Sequence, residues 1–276
     1  MNIQRIASFC LNGQGGNPAG VVIGAQMPTA SEMQKIAADL GYSETAFAAP
    51  EAGGFRARYF APEAEVPFCG HATIALGAAL GAVQGAGRYE LFLNNGAIET
   101  TAFHDDAGWG AQLLSPPTSQ RAAEESLHIA ALGLFGWSAR DIDPTLDVMR
   151  IHGGADHLLI PLTRHDLLRT MQYDFGQGGT LMRKYGLVTI SLIWRESPKR
   201  FHARNPFAGH GVYEDPATGA AAAALAGYLR DTGRSAVPFD VLQGAEMGAA
   251  SRLLVEPLPM RGGPVQISGA TRIIAD

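Results

Sequence analysis

The sequence contains few cysteines, no excess of positive charge and no long hydrophobic run. Cys10 and Cys69 are its only two cysteines in 276 residues, so it lacks the pattern of a secreted protein held together by disulfides. Its 21 Lys and Arg residues are outnumbered by 26 Asp and Glu residues, and a net charge of −5 does not favour binding to a nucleic-acid backbone. The longest weakly charged run, TGAAAAALAGYL, is too short and too rich in alanine to span a membrane.

The composition is that of a globular protein, with 46% hydrophobic and 17% charged residues. The N-terminal stretch MNIQRIASFC has neither the positive leader nor the apolar core of a signal peptide. These features predict a soluble cytoplasmic protein without membrane or nucleic-acid partners. The length allows one large domain or two of about 130 residues each.

Two stretches of the chain have the same layout. EVPFCGHATIALGAAL at 65–80 and YEDPATGAAAAALAGYL at 213–229 each place an acidic residue, a proline turn and a glycine directly before an alanine-rich segment. The matching residues lie 149 positions apart: Glu65 and Glu214, Pro67 and Pro216, Gly70 and Gly219, Leu76 and Leu225. Upstream, FRAR at 55–58 returns as FHAR at 201–204. Alanine-rich helices resemble each other by chance, but these shared residues favour an internal duplication.

Strands outnumber helices in the predicted secondary structure. Alternating apolar and basic residues in FRARYF are typical of a half-buried strand, and the Asn-Asn-Gly sequence at 94–96 predicts a hairpin. Helices are predicted at 31–41, at 125–134 and in the two alanine-rich segments. Runs of strands with isolated helices predict an α+β fold rather than a doubly wound parallel sheet.

The connecting segments are predicted from their composition. PPTSQRAAEE at 116–125 is the expected crossover, which puts the first half at residues 1–118 and the second at 119–263. Two GQGG sequences, at 13–16 and 176–179, lack the lysine of a phosphate-binding loop and are interpreted as ordinary loops.

The two alanine-rich helices are small and apolar on almost every side, which is unusual for a surface helix. Such a helix fits inside a curved sheet, and Gly77, Gly81 and Gly227 are expected to allow close packing, since glycine otherwise weakens a helix by about 1 kcal/mol. The N-terminus of each helix carries unpaired N–H groups and a partial positive charge, which favours a carboxylate or phosphate. The polar turns therefore predict a site for a small anion.

Several of these motifs resemble one known family. FAPEAEVPFCGHAT in the first half and EDPATGAA in the second are similar to the signatures of the PhzF-type phenazine-biosynthesis isomerases. SFCLNGQGGNPAGVV (8–22) resembles the opening of that family, and GYSETAF (41–47) resembles its catalytic-glutamate segment. The resemblance extends over nearly the whole chain.

The resemblance implies the diaminopimelate-epimerase fold. This fold consists of two similar, pseudo-symmetric domains, each with a strongly curved, mainly antiparallel sheet wrapped around a central helix, and the active site lies in the cleft between them. The last strand, within 264–276, is expected to return to the first domain. The family is usually dimeric, and it implies no metal, nucleotide or pyridoxal cofactor.

Glu44 is the candidate general acid and base. It lies in SETAF, a polar interruption between a predicted helix and an apolar strand. A half-buried carboxyl group there suits the uptake and return of a proton near neutral pH, because burial disfavours its charged form. The resemblance assigns the same role to this glutamate. The alternative is an ordinary exposed turn residue.

His71 and Asp215 are the other candidate catalytic residues. His71 follows the glycine that opens the first buried helix, and the resemblance makes it a substrate contact; the alternative is a capping or packing role. Asp215 precedes a proline, which favours an extended backbone just before the second helix. The resemblance places this aspartate facing the substrate, whereas its alternative is to stabilise the helix N-terminus.

Further candidates surround these residues. Gly70 and Gly219 would let the backbone approach the substrate, with Thr218, Ala220 and Asn17 nearby, although Asn17 could equally belong to a plain turn. Ala220 stands where the family often has serine, so one hydroxyl contact is missing. Cys69 is matched by Thr218 across the repeat, and a threonine cannot supply the second thiolate of a two-cysteine racemase. A single buried cysteine is more often a small hydrophobic residue than a nucleophile.

The sequence therefore predicts a cofactor-independent isomerase that moves a proton, and with it a double bond, in a small carboxylate-bearing metabolite. Glu44 would transfer the proton, while His71 and Asp215 would orient the substrate. Two alternatives stay open: an epimerase or dehydratase of the same fold that uses Cys69 with Thr218, and a non-catalytic protein that binds small acids. The remaining histidines lack the spacing of a metal site.

Overall fold

A computed structural model describes residues 2–275. Its strands are β1 (Ile3–Ser8), β2 (Asn17–Ile23), β3 (Thr45–Glu51), β4 (Gly54–Phe60), β5 (Glu65–Val66), β6 (Gly87–Leu93), β7 (Gly96–Asp105), β8 (Gly108–Leu114), β9 (Ser119–Ala122), β10 (Met149–His152), β11 (Asp156–Leu162), β12 (Thr189–Ser197), β13 (Arg200–Phe207), β14 (Val212–Asp215), β15 (Phe239–Gln243), β16 (Ser251–Pro257) and β17 (Val265–Ile273). Its α-helices are α1 (Ala30–Leu40), α2 (Gly70–Gln84), α3 (Glu125–Phe135), α4 (His165–Arg169), α5 (Phe175–Tyr185) and α6 (Gly219–Asp231). The α+β prediction is confirmed.

The chain divides into two compact units. The first unit contains the residues up to Leu114 and those from Ser268 onward, and the second contains Ser115–Ile267. No helix in the part of the chain that the structure describes combines the length and the apolar character needed to cross a membrane.

In the first unit, the sheet closes on itself. β1 is antiparallel to β2, β2 is parallel to β3, β3 is antiparallel to β4, and β4 is parallel to β6. β6, β7 and β8 continue as an antiparallel meander, and β17 pairs with both β8 and β1 to complete the ring. The closed ring leaves room at its centre for one helix.

Helix α2 fills that centre. Eleven consecutive residues, His71–Gly81, are buried, as expected for a helix that is small and apolar on every side. A Cβ atom at Gly77 would lie 2.6 Å from the Thr100 hydroxyl, and one at Gly81 would lie 2.6 Å from the Trp109 ring. The close-packing role predicted for these glycines is confirmed, because any larger residue would push the sheet away from the helix.

Helix α1 connects β2 to β3 on the outside of the ring. It begins with a capping box, in which the Thr29 hydroxyl accepts from the Glu32 N–H and the Glu32 carboxylate accepts from the Thr29 N–H. It ends at Gly41, whose φ of 67° is left-handed and suits glycine. Its apolar face buries Met33 and Ala37.

The second unit has the same succession of pairings. β10 is antiparallel to β11, β11 is parallel to β12, β12 is antiparallel to β13, β13 is parallel to β15, and β15 is antiparallel to β16. Helix α6 is buried over Ala221–Leu229, and a Cβ atom at Gly227 would overlap with Thr118. Each unit is therefore a curved, mainly antiparallel sheet around a central helix, as predicted. A common origin of the two units stays a prediction.

One local prediction was wrong. The GQGG sequence at 176–179 is not a loop but the first part of α5, which Asp174 caps by accepting from the Gln177 N–H. A Cβ atom at Gly178 would overlap with the Tyr173 ring, so this glycine serves packing rather than flexibility. The expected crossover at 116–125 contains strand β9, which pairs with β10 and brings backbone hydrogen bonds that its polar sequence did not indicate.

Candidate functional site

Glu44 lies directly before β3, at the edge of the first unit's sheet. Its carbonyl oxygen accepts from the Gly20 N–H at 3.2 Å, which fixes the backbone at the start of the strand. Its side chain is 21% exposed, and Oε2 lies 3.5 Å from Nε2 of His71. The carboxylate is thus half-buried and beside an imidazole, while part of its surface is open to a ligand.

The His71 ring contacts both a carboxylate and a thiol. His71 is the second residue of α2 and is 9% exposed. Its Nδ1 atom is 3.2 Å from Sγ of Cys69, and its Nε2 atom is 3.4 Å from the Ser43 hydroxyl as well as close to Glu44. An imidazole in this position can hand a proton from one neighbour to the other, because each ring nitrogen has an acid-base partner.

The start of α2 is held by a chain of hydroxyl groups. Cys69 is the N-cap residue, and its carbonyl oxygen accepts from the Thr73 N–H at 3.0 Å and from the Thr73 hydroxyl at 2.7 Å. The Tyr59 hydroxyl in turn donates to Thr73 at 2.7 Å. Burial raises the pKa of Tyr59, which keeps this phenol a donor. Ser43, Tyr59 and Thr73 were not predicted as site residues, although Ser43 and Thr73 lie in the predicted motifs and only Tyr59 comes from another strand.

Asn17 belongs to the same region of the first unit. It is 2% exposed and lies opposite Ser8 in the pairing of β1 with β2, and the Ser8 hydroxyl donates to the His71 carbonyl at 2.7 Å. Gly16, just before Asn17, has a φ of 86°, and a Cβ atom there would lie 2.8 Å from the Ser8 carbonyl oxygen. The Gly-Asn-Pro sequence thus forms the closely packed start of β2 and is not a plain turn.

Cys69 departs from its expected apolar role. Neither cysteine forms a disulfide, but Cys10 is buried whereas Cys69 is only half-buried and contacts the His71 ring. A Cβ atom at Gly70, the first residue of α2, would meet nothing within 4 Å. The helix start beside Cys69 is therefore open, so it can admit a ligand.

In the second unit, Asp215 ends β14 and contacts the turn that begins α6. The N-cap residue of α6 is Thr218, whose hydroxyl donates to Oδ2 of Asp215 at 2.6 Å. The extended backbone predicted for Asp215 is confirmed by its place in a strand. Gly219 and Ala220 are the first two residues of the helix and are partly exposed.

Gln243 holds this turn and was missed by the sequence analysis. Its side-chain amide donates to the Asp215 carbonyl at 2.6 Å and to the Thr218 hydroxyl at 3.0 Å, while its Oε1 accepts from the Thr218 N–H. Gln243 is 3% exposed at the end of β15, so these bonds are sheltered from water. No pattern in the sequence links this glutamine to the turn, which lies 25 residues away.

Each turn is also fixed by an arginine–glutamate pair from the repeated residues. Arg58 donates to both carboxylate oxygens of Glu65, at 2.8 and 2.6 Å. Arg204 does the same to Glu214, at 2.9 and 2.5 Å, and its other terminal nitrogen donates to the carbonyl of Met171. The repeat thus preserves a bidentate pair in each unit.

The structure therefore places Glu44, Cys69 and His71 together in the first unit, and Asp215, Thr218 and Gln243 together in the second. The first group combines a carboxylate, a thiol and an imidazole, which can transfer protons or bind a metal ion. The second group presents a hydrogen-bonded carboxylate at the start of a helix, which can orient a polar substrate. Both statements follow from the general chemistry of these types of side chain.

Sequence relatives match almost the entire chain. The profile of the PhzC-PhzF family, described as phenazine biosynthesis-like protein, matches residues 6–275. A protein of Deinococcus radiodurans named as an uncharacterized isomerase is 31% identical over 98% of this chain and 91% of its own length. The trans-2,3-dihydro-3-hydroxyanthranilate isomerase of Pseudomonas fluorescens is 28% identical over 87% of this chain and 84% of its own length.

Solved structures give the same fold. A PhzF-family protein of Bacillus anthracis has a TM-score of 0.85 at 22% identity, covering 100% of this chain and 98% of its own. A proline racemase-like protein of Agrobacterium radiobacter has a TM-score of 0.65 at 12% identity, covering 99% of this chain and 91% of its own. These similarities establish the diaminopimelate-epimerase-like fold. With its isomerase relatives and the family match from end to end, the chain is an isomerase that belongs to the phenazine biosynthesis-like PhzC-PhzF family.

Proposed function

We propose that this isomerase needs no cofactor and moves a proton, and with it a double bond, in a small unsaturated carboxylic acid. The observation that carries the proposal is the half-buried Glu44 carboxylate beside the His71 imidazole, at the open start of α2. The substrate named for the Pseudomonas fluorescens relative is a dihydro ring acid, which makes unsaturated ring acids the first class to test.

In the proposed reaction, Glu44 acts first as a base and then as an acid. Its carboxylate takes a proton from a carbon next to a double bond, and the electrons of the broken C–H bond form the new double bond. The original double bond shifts its electrons to the far carbon, which takes the proton back from the Glu44 carboxylic acid. No redox partner is needed, since the substrate gains and loses one proton. A positioned acid-base group of this kind contributes about 10²–10⁴-fold to a rate.

The neighbouring groups support this role. The His71 Nε2 atom can donate to one Glu44 oxygen and so fix the carboxylate while the other oxygen faces the substrate. The unpaired N–H groups at the start of α2 favour the negative charge of a substrate carboxylate. We further propose that Asp215 orients the substrate through its carboxylate, whose position is set by Thr218. Ala220 would leave room where a serine hydroxyl could otherwise contact the substrate.

A thiol-based epimerase is the second candidate, because Cys69 lies 3.2 Å from His71 and a thiol there could act as a base. Its predicted partner, Thr218, is 8% exposed, and its hydroxyl already donates to Asp215. An alcohol in that arrangement is a poor second base. Loss of activity on alkylation of Cys69, prevented by the substrate, would nevertheless favour the epimerase.

Proton transfer to Glu44 can be tested by deuterium uptake. The probes are trans-2,3-dihydro-3-hydroxyanthranilate and a panel of cyclic and acyclic unsaturated acids, incubated in D₂O and analysed by mass spectrometry. We expect Glu44→Gln to reduce deuterium incorporation by at least about 10²-fold while the unfolding midpoint stays unchanged. Glu51→Gln, an exposed glutamate of the same unit, is the matched control and should keep full exchange.

Two outcomes of this experiment decide between roles. If Glu44→Gln exchanges deuterium at the wild-type rate, the proposed proton transfer is wrong. Asp215→Asn should raise KM more than it lowers kcat, as expected for a residue that binds and orients the substrate. A large fall in kcat with an unchanged KM would instead make Asp215 a proton-transfer group.

A further inference from the structure

Three side chains of the first unit form a set of metal-ligand types. A carboxylate oxygen of Glu44, Sγ of Cys69 and a ring nitrogen of His71 all lie within 4.8 Å of one another. Among residues 2–275, this is the one group of three or more His, Cys, Asp and Glu residues that is close enough to share an ion. The set was not predicted, because its members come from two separate segments.

The spacing of these atoms suits a tetrahedral ion. Zn²⁺ binds nitrogen, oxygen and sulfur at about 2.0–2.3 Å, which puts ligand atoms about 3.3–3.6 Å apart around a tetrahedron. In the structure, Nε2 of His71 lies 3.5 Å from Oε2 of Glu44 and 4.0 Å from Sγ of Cys69. The thiol and the carboxylate lie within 4.8 Å of each other, so they must approach by up to about 1.2 Å for the set to close around one ion.

The chemistry of the ligands selects the ion. A thiolate and an imidazole favour Zn²⁺ and related transition metals, whereas Mg²⁺ and Ca²⁺ require oxygen ligands. The positive end of α2 opposes a cation, but two anionic ligands offset that charge. Glu44 and Cys69 are both half-buried, so an ion can enter from solvent, and three protein ligands leave a fourth position for water.

The surrounding hydrogen bonds preorganise the ligands. The Cys69 carbonyl is held by Thr73, and the His71 carbonyl is held by Ser8, so both ligands project from a fixed turn.

We propose that Glu44, Cys69 and His71 form a binding site for Zn²⁺, and that bound Zn²⁺ inhibits the enzyme by occupying the Glu44 carboxylate. The site itself does not depend on the proposed proton transfer, whereas the inhibition does. Zn²⁺ is here an inhibitor, since it would remove the base that the reaction needs.

The binding test uses Co²⁺ as a spectroscopic substitute for Zn²⁺ on the full-length, chelator-treated protein. We expect one Co²⁺ per chain, with a near-ultraviolet thiolate-to-cobalt band and the visible bands of four-coordinate Co²⁺, all removed by added Zn²⁺ but not by Mg²⁺. Cys69→Ser should abolish the thiolate band, and His71→Gln should weaken binding by at least about 100-fold. Cys10→Ser, which removes the buried thiol of the same unit, is the matched control and should keep the spectrum.

The results separate the site from the inhibition. Absence of a thiolate band in the wild-type protein, or its persistence in Cys69→Ser, would overturn the metal site whatever the role of Glu44. If Co²⁺ binds as expected but Zn²⁺ leaves deuterium exchange unchanged, the site stands and the inhibition is wrong. If Glu44→Gln retains exchange while the wild-type spectrum appears, the proposed function fails and the metal site is supported.

Discussion

The starts of the two central helices share one backbone plan and differ in chemistry. Across the repeat, Cys69 corresponds to Thr218 and His71 to Ala220. Both turns follow a short strand that pairs with the longer strand bearing the repeated arginine. The first turn therefore carries a thiol and an imidazole where the second carries a hydroxyl and a methyl group.

The strand register extends this comparison to Glu44. Arg58 pairs with Phe47 in the first unit, and Arg204 pairs with Leu192 in the second. Three residues before these partners lie Glu44 and Thr189, which are therefore equivalent positions. The second unit thus has no carboxylate at the position where the first has its proposed base.

Thr189 is built into a buried network instead of a site. It is 1% exposed, its hydroxyl accepts from Nδ1 of His157 at 2.7 Å, and it donates to Oδ1 of Asn205 at 3.2 Å. Glu44 in the first unit is thus partly exposed, whereas the equivalent Thr189 in the second is buried. The two equivalent positions therefore differ in exposure and in hydrogen bonding.

The arginine–glutamate pairs also differ in their surroundings. The side chains of Arg58 and Glu65 are 21% and 28% exposed, whereas those of Arg204 and Glu214 are 8% and 2% exposed. Water screens the charges of the first pair but not those of the second. Breaking the pair should therefore destabilise the protein more in the second unit than in the first.

The largest expected effect on stability comes from removing the buried Glu214 carboxylate. Glu214→Gln would leave the Arg204 guanidinium buried without a counter-charge, and we expect it to lower the free energy of unfolding by about 3–5 kcal/mol. Glu65→Gln is the matched change in the first unit. Urea unfolding of both variants at pH 7 measures the difference, and equal losses would contradict the role assigned to burial.

A smaller, pH-dependent effect is expected from His157. Burial lowers the pKa of His157 to about 3, with Asp156 opposing and His152 assisting, so the folded protein holds this ring neutral. The unfolded chain takes up a proton below about pH 6.5, so the stabilisation is full above that pH and falls with acidification by about 1.4 kcal/mol per unit. His157 should therefore account for a loss of about 2 kcal/mol by pH 5.

His157→Gln tests this slope. The variant should lose less stability than the wild type between pH 7 and pH 5, whatever its stability at pH 7, because a glutamine does not titrate. His104→Gln, which removes an exposed histidine of the first unit, should keep the wild-type slope. Parallel slopes for wild type and His157→Gln in denaturant titrations would refute the argument.

The smallest effect is expected at the exposed pair. The hydrogen bond from Arg58 lowers the pKa of Glu65, with burial opposing and Asn94 assisting. A carboxylate with a lowered pKa stabilises the protein above its unfolded value, about 4.3, and loses that contribution as the pH falls through its folded value. Glu65→Gln should cost about 0.5–1 kcal/mol at pH 7 and progressively less as the pH falls below about 4, measured by urea unfolding. A cost that persists at pH 3 would show that packing, not charge, is responsible.

The fold was predictable because its signals are local or repeated. The apolar, glycine-containing segments at 70–84 and 219–231 are recognisable as buried helices, and the Asn-Asn-Gly hairpin pairs Leu93 with Gly96 as β6 and β7. The GQGG segment of α5 was misread because its glycines fit against Tyr173 and Ala208, which only packing reveals. The residues adjoining GQGG in the sequence do not indicate this packing.

The candidate site, too, was predictable only in part. Cys69 and His71 are two residues apart, so the sequence by itself determined that a thiol and an imidazole would lie together at the start of a helix. Only the tertiary structure brought Glu44 to that imidazole and Gln243 to the second turn. The physical reason is that short-range spacing is set by backbone geometry, whereas contacts between distant segments depend on how the strands pair and the sheet curves around its helix.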